Sequence, residues 1–173
     1  LLQLLALLRR WGKVYNLTAF RDEASMVDLH LLDSLSILPY VKASRIADIG
    51  TGGGLPGIPL AICHPDMEVS LVETVNKKAS FLQQAKIELG LANVSVHNVR
   101  VETLKPAEPY PAVISRAFSS LLDFVSLTEH LVATDGLWFA MKGVYPEDVL
   151  ACVRSGFVLR ESHGRAVPGV DAE

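Results

Sequence analysis

The sequence predicts a doubly wound α/β domain: a mostly parallel sheet covered by helices on both faces, with N-terminal helices ahead of it. Three observations carry that reading. From Arg45 onward, short apolar runs alternate regularly with stretches of helical spacing, the pattern of strand–helix–strand units. The runs are mainly apolar, as expected of strands in a parallel sheet covered by helices on both faces. The first run closes in Asp48-Ile49-Gly50-Thr51-Gly52-Gly53-Gly54-Leu55-Pro56-Gly57. That turn is rich in the one residue that tolerates left-handed backbone, and its proline stands where a helix can begin. With 173 residues, half of them hydrophobic, the chain is long enough for a single domain over 1–173. We divide it into a helical extension, 1–44, and a sheet core, 45–173.

Taken in order, the opening Leu1-Leu2-Gln3-Leu4-Leu5-Ala6-Leu7-Leu8 is too short to span a bilayer. Arg9 and Arg10 follow this apolar run, the reverse of the order in a secretory signal. We expect a helix packed on the domain, in a cytoplasmic protein with no membrane partner. Tyr15-Asn16-Leu17-Thr18 reads as a connection. A second helix is expected from Asp22, as N-cap, to the stop at Pro39. On it His30 and Asp33 share a face, one turn apart. Residues 46–49 read as the first strand and 56–63 as the helix after it. Residues 68–73 and 76–89 form the next strand and helix, closed by Gly90. Strands follow at 94–97 and 112–115, then a helix from about 119 to 131 and a strand at 137–141. A short helix near 146–152 and a last strand at 157–161 complete the pattern. Cys63 and Cys152 lack metal-ligand spacing; both are expected to be reduced and buried, and no metal site is expected.

Net charge of −3 argues against indiscriminate nucleic-acid binding. The distribution is uneven, however: Arg9, Arg10, Lys13 and Arg21 all precede the first acidic residue, Asp22. Any phosphate contacts would come from local patches of this kind.

Two frames compete for the glycine turn. Gly52, Gly54 and Gly57 satisfy the dinucleotide fingerprint G-x-G-x-x-G, but that frame leaves Gly50 and Thr51 inside the apolar strand. Counting from Gly50, directly after the strand, puts Leu55 at the third glycine, and the fingerprint fails. The spacing Asp48-x-Gly50-x-Gly52-x-Gly54, with an acid closing the strand, fits without adjustment. It resembles the cofactor loop of class I S-adenosylmethionine (SAM) methyltransferases. Backbone N–H groups at the start of the following helix are expected to stay open for a negatively charged group.

Ligands of doubly wound sheets bind beyond the carboxyl ends of the strands, so the residues falling there matter most. Glu73 closes the second strand, nineteen residues after Gly54, near the spacing of an acid that accepts both ribose hydroxyls. Val101 and Glu102 follow the third strand, placed to border an adenine ring and to accept a hydrogen bond from its amine. Arg116 and Lys142 follow the fourth and fifth strands. Arg116 can grip a carboxylate or phosphate with two hydrogen bonds, Lys142 only as a point charge. Phe118 reads as a core aromatic sooner than as a platform for a base.

Taken together, Asn16-Leu17-Thr18-Ala19, His30-Leu31-Leu32-Asp33-Ser34, the stretch 48–59, Val101-Glu102, Ser115-Arg116-Ala117-Phe118 and Lys142-Gly143 form an ordered set. Over nearly the whole chain this set resembles the 16S ribosomal RNA guanine-N7 methyltransferase family, also called glucose-inhibited division protein B. The resemblance implies SAM as cofactor, with contacts at Gly50, Leu55, Val101, Glu102 and Arg116. It implies 16S ribosomal RNA, or the small ribosomal subunit, as partner, and His30, Asp33, Arg116 and Lys142 are the candidates for the RNA side. Leu29 stands where a basic residue is expected before His30. Residues 170–173 fall about where the family's last strand begins, so that antiparallel strand is expected to lie outside the chain shown. A monomer is expected.

Guanine N7 carries an exposed lone pair, so its methylation requires no general base, and no catalytic dyad is expected. Pyrimidine C5 methylation would call for a cysteine at the strand ends. Adenine-N6 enzymes carry an Asn/Asp-Pro-Pro-aromatic turn where this chain has Ser115-Arg116-Ala117-Phe118. From the residues alone, a SAM enzyme acting on a small molecule and a cofactor-dead RNA-binding or assembly module stay open. A nicotinamide-dependent oxidoreductase survives only in the Gly52-Gly54-Gly57 frame.

Overall fold

Five strands, the inner ones mainly apolar and buried, form one sheet in the order β3-β2-β1-β4-β5. The strands are β1 (Arg45–Ile49), β2 (Glu68–Val72), β3 (Val94–His97), β4 (Tyr110–Ser115) and β5 (Val132–Ala140). The computed structural model describes residues 1–15, 27–116, 118, 120–143 and 156–164. Every strand pair is parallel. The register aligns Ile49 with Val72, Val72 with His97, and Ser115 with Ala140. The Ser115 hydroxyl donates to the Ile49 carbonyl at 2.8 Å, which fastens the ends of β1 and β4 together. All five carboxyl ends are therefore level. Strand order reverses between β1 and β4, where doubly wound sheets hold their ligands.

Helices α1 (Leu2–Tyr15), α2 (Asp33–Ser36), α3 (Gly57–Cys63), α4 (Asn76–Glu88) and α5 (Leu121–Thr128) accompany the sheet. One core gathers Ile46, Ile58, Leu60, Leu71, Phe81, Leu82 and Ile114; the other gathers Ala47, Ile49, Val72, Val101, Val113, Phe124 and Leu131. Leu4, Leu5, Leu7 and Leu8 of α1 belong to the first core. Trp11 packs on Phe81 at 5.7 Å between ring centroids, and Arg10 pairs with Glu88 at 2.5 Å. The N-terminal extension thus shares the sheet's core. Arg10, counted above among basic residues available to phosphate, is engaged with another helix.

Several elements differ from the sequence reading. Its second helix is described from residue 27, as a π-helical turn (Val27–Leu32) leading into α2, which ends at Ser36, ahead of Pro39. Asp22, Arg21, residues 16–19, the 146–152 helix and Cys152 lie outside the described residues. Strand β5 starts at Val132, five residues earlier than expected. Tyr110 pairs with Val132 across a register irregularity, so tertiary pairing recruits the polar Thr134-Asp135-Gly136 that reads locally as a turn. The run 157–161 is not a strand: Phe157 meets Trp138 edge-on at 5.3 Å, and Val158 is 83 % exposed. An apolar run without a paired neighbour does not make a ladder. Cys63 is exposed, not buried, at the last position of α3.

Candidate active site

The glycine turn begins where β1 ends, in agreement with the frame counted from Gly50. The Gly50 and Thr51 N–H groups donate to the Val72 carbonyl at 2.9 and 3.2 Å, carrying the β1–β2 seam into the turn. Gly54 has φ +84, and a Cβ there would lie 2.3 Å from the Ile58 side chain. At Gly57 a Cβ would lie 2.3 Å from Leu71 and 2.8 Å from an Asp48 oxygen. Backbone packs directly on side chain at both positions, which only glycine permits.

Asp48 lies beneath this turn, fully buried. Its Oδ2 accepts the Thr51 hydroxyl at 2.6 Å and the Gly57 N–H at 2.8 Å, while Oδ1 has no hydrogen-bond partner among the described residues. Burial pushes its pKa from the ordinary 3.8 up to about 6, against the opposing pull of those two bonds and of the Arg116 charge. Here the sequence expectation needs correcting. The N–H groups at the start of α3 are not open to a ligand anion. Gly57 donates to Asp48, Leu55 to the Thr51 carbonyl and Ile58 to the Gly54 carbonyl, and Pro56 and Pro59 have no N–H. The chain's own carboxylate occupies the anion's place.

Glu73 sits one residue past β2 and is only 5 % exposed. Its Oε2 accepts the Gly52 N–H at 3.0 Å and its Oε1 the Val75 N–H at 2.8 Å. The Asn98 amide holds the Glu73 carbonyl at 2.9 Å. The acid is thereby fixed against the glycine turn. Oε1 also accepts the Thr74 hydroxyl at 3.5 Å. A carboxylate offers about four lone-pair sites, so Oε2 keeps capacity for a further donor.

Next to it, a hollow of ≈260 Å³ opens at the strand tips, lined by Ile49, Gly50, Val72, Val101, Glu102 and Phe118 among others. Val101 is buried and Glu102 exposed, both in a tight turn (Val101–Thr103) just after β3. Leu55 turns its side chain into the core and is not part of the hollow's wall. Phe118 is half-buried against Phe124, 5.3 Å between centroids, and also walls the hollow.

Arg116 follows β4 and pairs with Asp33 of α2, Nη1 to Oδ2 at 3.2 Å. His30 lies in the turn leading into α2, 7 % exposed. Its pKa is lowered by burial first and by the Arg116 charge second, with Asp33 opposing, so the ring is neutral at pH 7. The structure thus joins Asp33 to Arg116 across eighty-three residues of chain, with His30 three residues before Asp33. Lys142 donates to the Phe118 carbonyl and ties down the segment after β4.

Sequence reasoning missed several contributors. Thr74, Val99, Arg100 and Leu127 complete the hollow's wall, and Thr51 and Asn98 brace the two acids. Thr51 and Asn98 carry a legible signal, being short polar residues just beyond strand ends. Leu127 carries none, because its place depends on how α5 docks. A second hollow, ≈350 Å³, lies at the amino ends of the strands among Ala61, Pro65, Leu91 and Asn93 and brings no charged groups together. Among the described residues no group of His, Cys, Asp or Glu is placed to hold a metal, and no helix is long and apolar enough to cross a membrane.

The residues at the strand tips fit SAM. A buried acid beside the glycine turn suits a ribose diol, an apolar wall ending in Glu102 suits adenine, and the Arg116 guanidinium suits an amino-acid carboxylate. Among solved structures the fold is similar to the methyltransferase SibL without ligand (TM-score 0.60, 16 % identity, 76 % of this chain and 42 % of that one). It is also similar to coclaurine N-methyltransferase bound to N-methylheliamine and SAH (0.55, 18 %, 63 % and 34 %). These likenesses establish the fold, that of SAM-dependent methyltransferases. Relatives in sequence are nearer. Ribosomal RNA small subunit methyltransferase G of Azoarcus sp. (strain BH72) is 61 % identical over 96 % of this chain and 79 % of its own length. The protein of the same name from Methylobacillus flagellatus is 53 % identical over 100 % and 83 %. A family model described as rRNA small subunit methyltransferase G matches residues 1–173, and the chain belongs to that family.

Proposed function

We propose that the protein transfers the methyl group of SAM to N7 of a guanine in 16S ribosomal RNA, as a monomer in the cytoplasm. The observation that carries this reading is the buried Glu73 carboxylate, fixed on the Gly52 N–H beside the strand-tip hollow, in a member of a small-subunit ribosomal RNA methyltransferase family. Glu73 receives the ribose hydroxyls. Val101 packs against the adenine, and Glu102 accepts its amine. The backbone of Gly50, Gly52, Gly54 and Leu55 lies along the methionine portion, and Asp48 holds that backbone in shape from below. Arg116 binds the methionine carboxylate.

SAM supplies an electrophilic methyl group on a sulfonium. Guanine N7 already presents its lone pair, so the residues facing the crevice have to align the two partners and exclude water; no proton must be removed first. His30, Asp33, Arg116 and Lys142 are the residues we assign to the RNA side. N7 faces the deep, narrow groove of A-form RNA, so the target guanine is unpaired or extruded. The test is transfer of labelled methyl from SAM to unmodified small-subunit RNA and particles, followed by nucleoside analysis. Recovery of 7-methylguanosine is expected; label confined to another nucleoside or to small molecules would overturn the assignment.

A further inference from the structure

Arg116 is held by a residue from the far end of the chain. Asp33 lies at the first position of α2, where the π-helical turn passes into α-helix, and its Oδ2 meets Arg116 Nη1 at 3.2 Å. Side chains of the pair are 28 % and 34 % exposed, so they stand partly in solvent just past the carboxyl end of β4 and not within the core. Among the described residues only Nη1 is engaged. A guanidinium has five N–H donors in a planar fork, so one such contact leaves an edge carrying Nη2 and Nε for a second carboxylate. The Arg116 charge is also felt inward: it opposes the burial-driven rise at Asp48 and adds to the burial-driven fall at His30. The guanidinium thus joins the carboxyl end of β4 to the extension.

We infer that Asp33 is a positioning residue: from the N-terminal extension it orients Arg116 so that the remaining edge of the guanidinium meets the aminoacyl carboxylate of SAM. The extension then completes the cofactor site as well as packing on the sheet. This rests on the reading of Arg116 given above. A surface ion pair of this exposure contributes little to stability, so its value lies in direction. An unanchored arginine must be ordered again by each incoming ligand, and the cost of that ordering is taken from affinity.

The test compares two ligands by calorimetry on the full chain: S-adenosylhomocysteine, which has the carboxylate, and 5′-methylthioadenosine, which lacks the aminoacyl group. In Asp33→Asn, S-adenosylhomocysteine should bind about tenfold more weakly, as for loss of one charge-assisted hydrogen bond, with methylthioadenosine unchanged within about twofold. Asp33→Glu should restore most of the difference. Methylthioadenosine binding doubles as the check that the variant is folded. Equal weakening of both ligands, or no weakening of either, would overturn the positioning role. Arg116→Ala separates the two readings: if it weakens the homocysteine compound selectively while Asp33→Asn does not, only the Asp33 inference fails. If Arg116→Ala shows no selectivity, the carboxylate reading itself is wrong, and the Asp33 inference falls with it.

Discussion

Substituting Glu73→Gln changes a single oxygen to an amide nitrogen in a side chain that is 5 % exposed. Both carboxylate oxygens are occupied, one by the Gly52 N–H at 3.0 Å and the other by the Val75 N–H at 2.8 Å. A glutamine retains one acceptor and turns an NH2 group toward the other N–H. One charge-assisted bond is lost and a backbone donor is left facing a donor, a cost of about 1.5–3 kcal/mol. In a chain of this size each kcal/mol moves the melting temperature by roughly 2–4 °C, so thermal unfolding should fall by roughly 3–12 °C. The same exchange removes an acceptor from the ribose hydroxyls and should weaken SAM by about 10- to 100-fold in calorimetry. The two effects can be measured separately, because affinity is read on folded protein well below its melting point. A lowered melting temperature with unchanged SAM affinity would refute the ribose assignment and leave Glu73 as a brace for the glycine turn. Unchanged values of both would mean that the Gly52 and Val75 bonds carry no weight.

Three further outcomes follow from the same geometry. Gly57→Ala places a methyl 2.3 Å from Leu71 and 2.8 Å from Asp48, and should destabilise by about 1–3 kcal/mol in urea titration; wild-type stability would mean that the helix start is loosely packed. Asp48 has its folded pKa raised from 3.8 to about 6, so between those values the folded chain keeps a proton that the unfolded chain has released. Its contribution to stability is therefore full below pH 3.8 and lost as pH rises through about 6, a change of about 3 kcal/mol. Asp48→Asn should flatten that part of the stability–pH curve relative to wild type, and parallel curves would contradict the burial argument. Glu102→Ala, at an exposed position on the hollow's rim, should weaken SAM about threefold to tenfold without moving the melting temperature. Identical SAM binding would remove Glu102 from the adenine edge.

The inner strands were legible because they are buried on both faces: 46–49 and 112–115 are short, mainly apolar runs whose limits depend on little beyond hydrophobicity. Glu73 and Val101-Glu102 were legible for a related reason, since a residue just past a parallel strand must arrive at the sheet's carboxyl edge. What the chain's local pattern did not reveal depends on distant partners. Strand β5 begins at Val132 only because Tyr110 pairs with it across an irregular register. The helix start after the glycine turn looked like an open anion site, and nothing local to it shows that Asp48, nine residues earlier, fills that role. The Asp33–Arg116 pair spans eighty-three residues, and no spacing rule connects its two halves. Apolar residues at 157–161 misled because composition supplies no pairing edge, and Cys63 did because the end of a short helix turns outward.

The account rests on adenosine lying across the tips of β1, β2 and β3, and a crystal structure with S-adenosylhomocysteine tests that most directly. Ribose hydroxyls within hydrogen-bond distance of Glu73, with adenine against Val101 and its amine at Glu102, is the predicted result. Density for the ligand at the amino ends of the strands, or a Glu73 carboxylate turned away from the ribose, would contradict it.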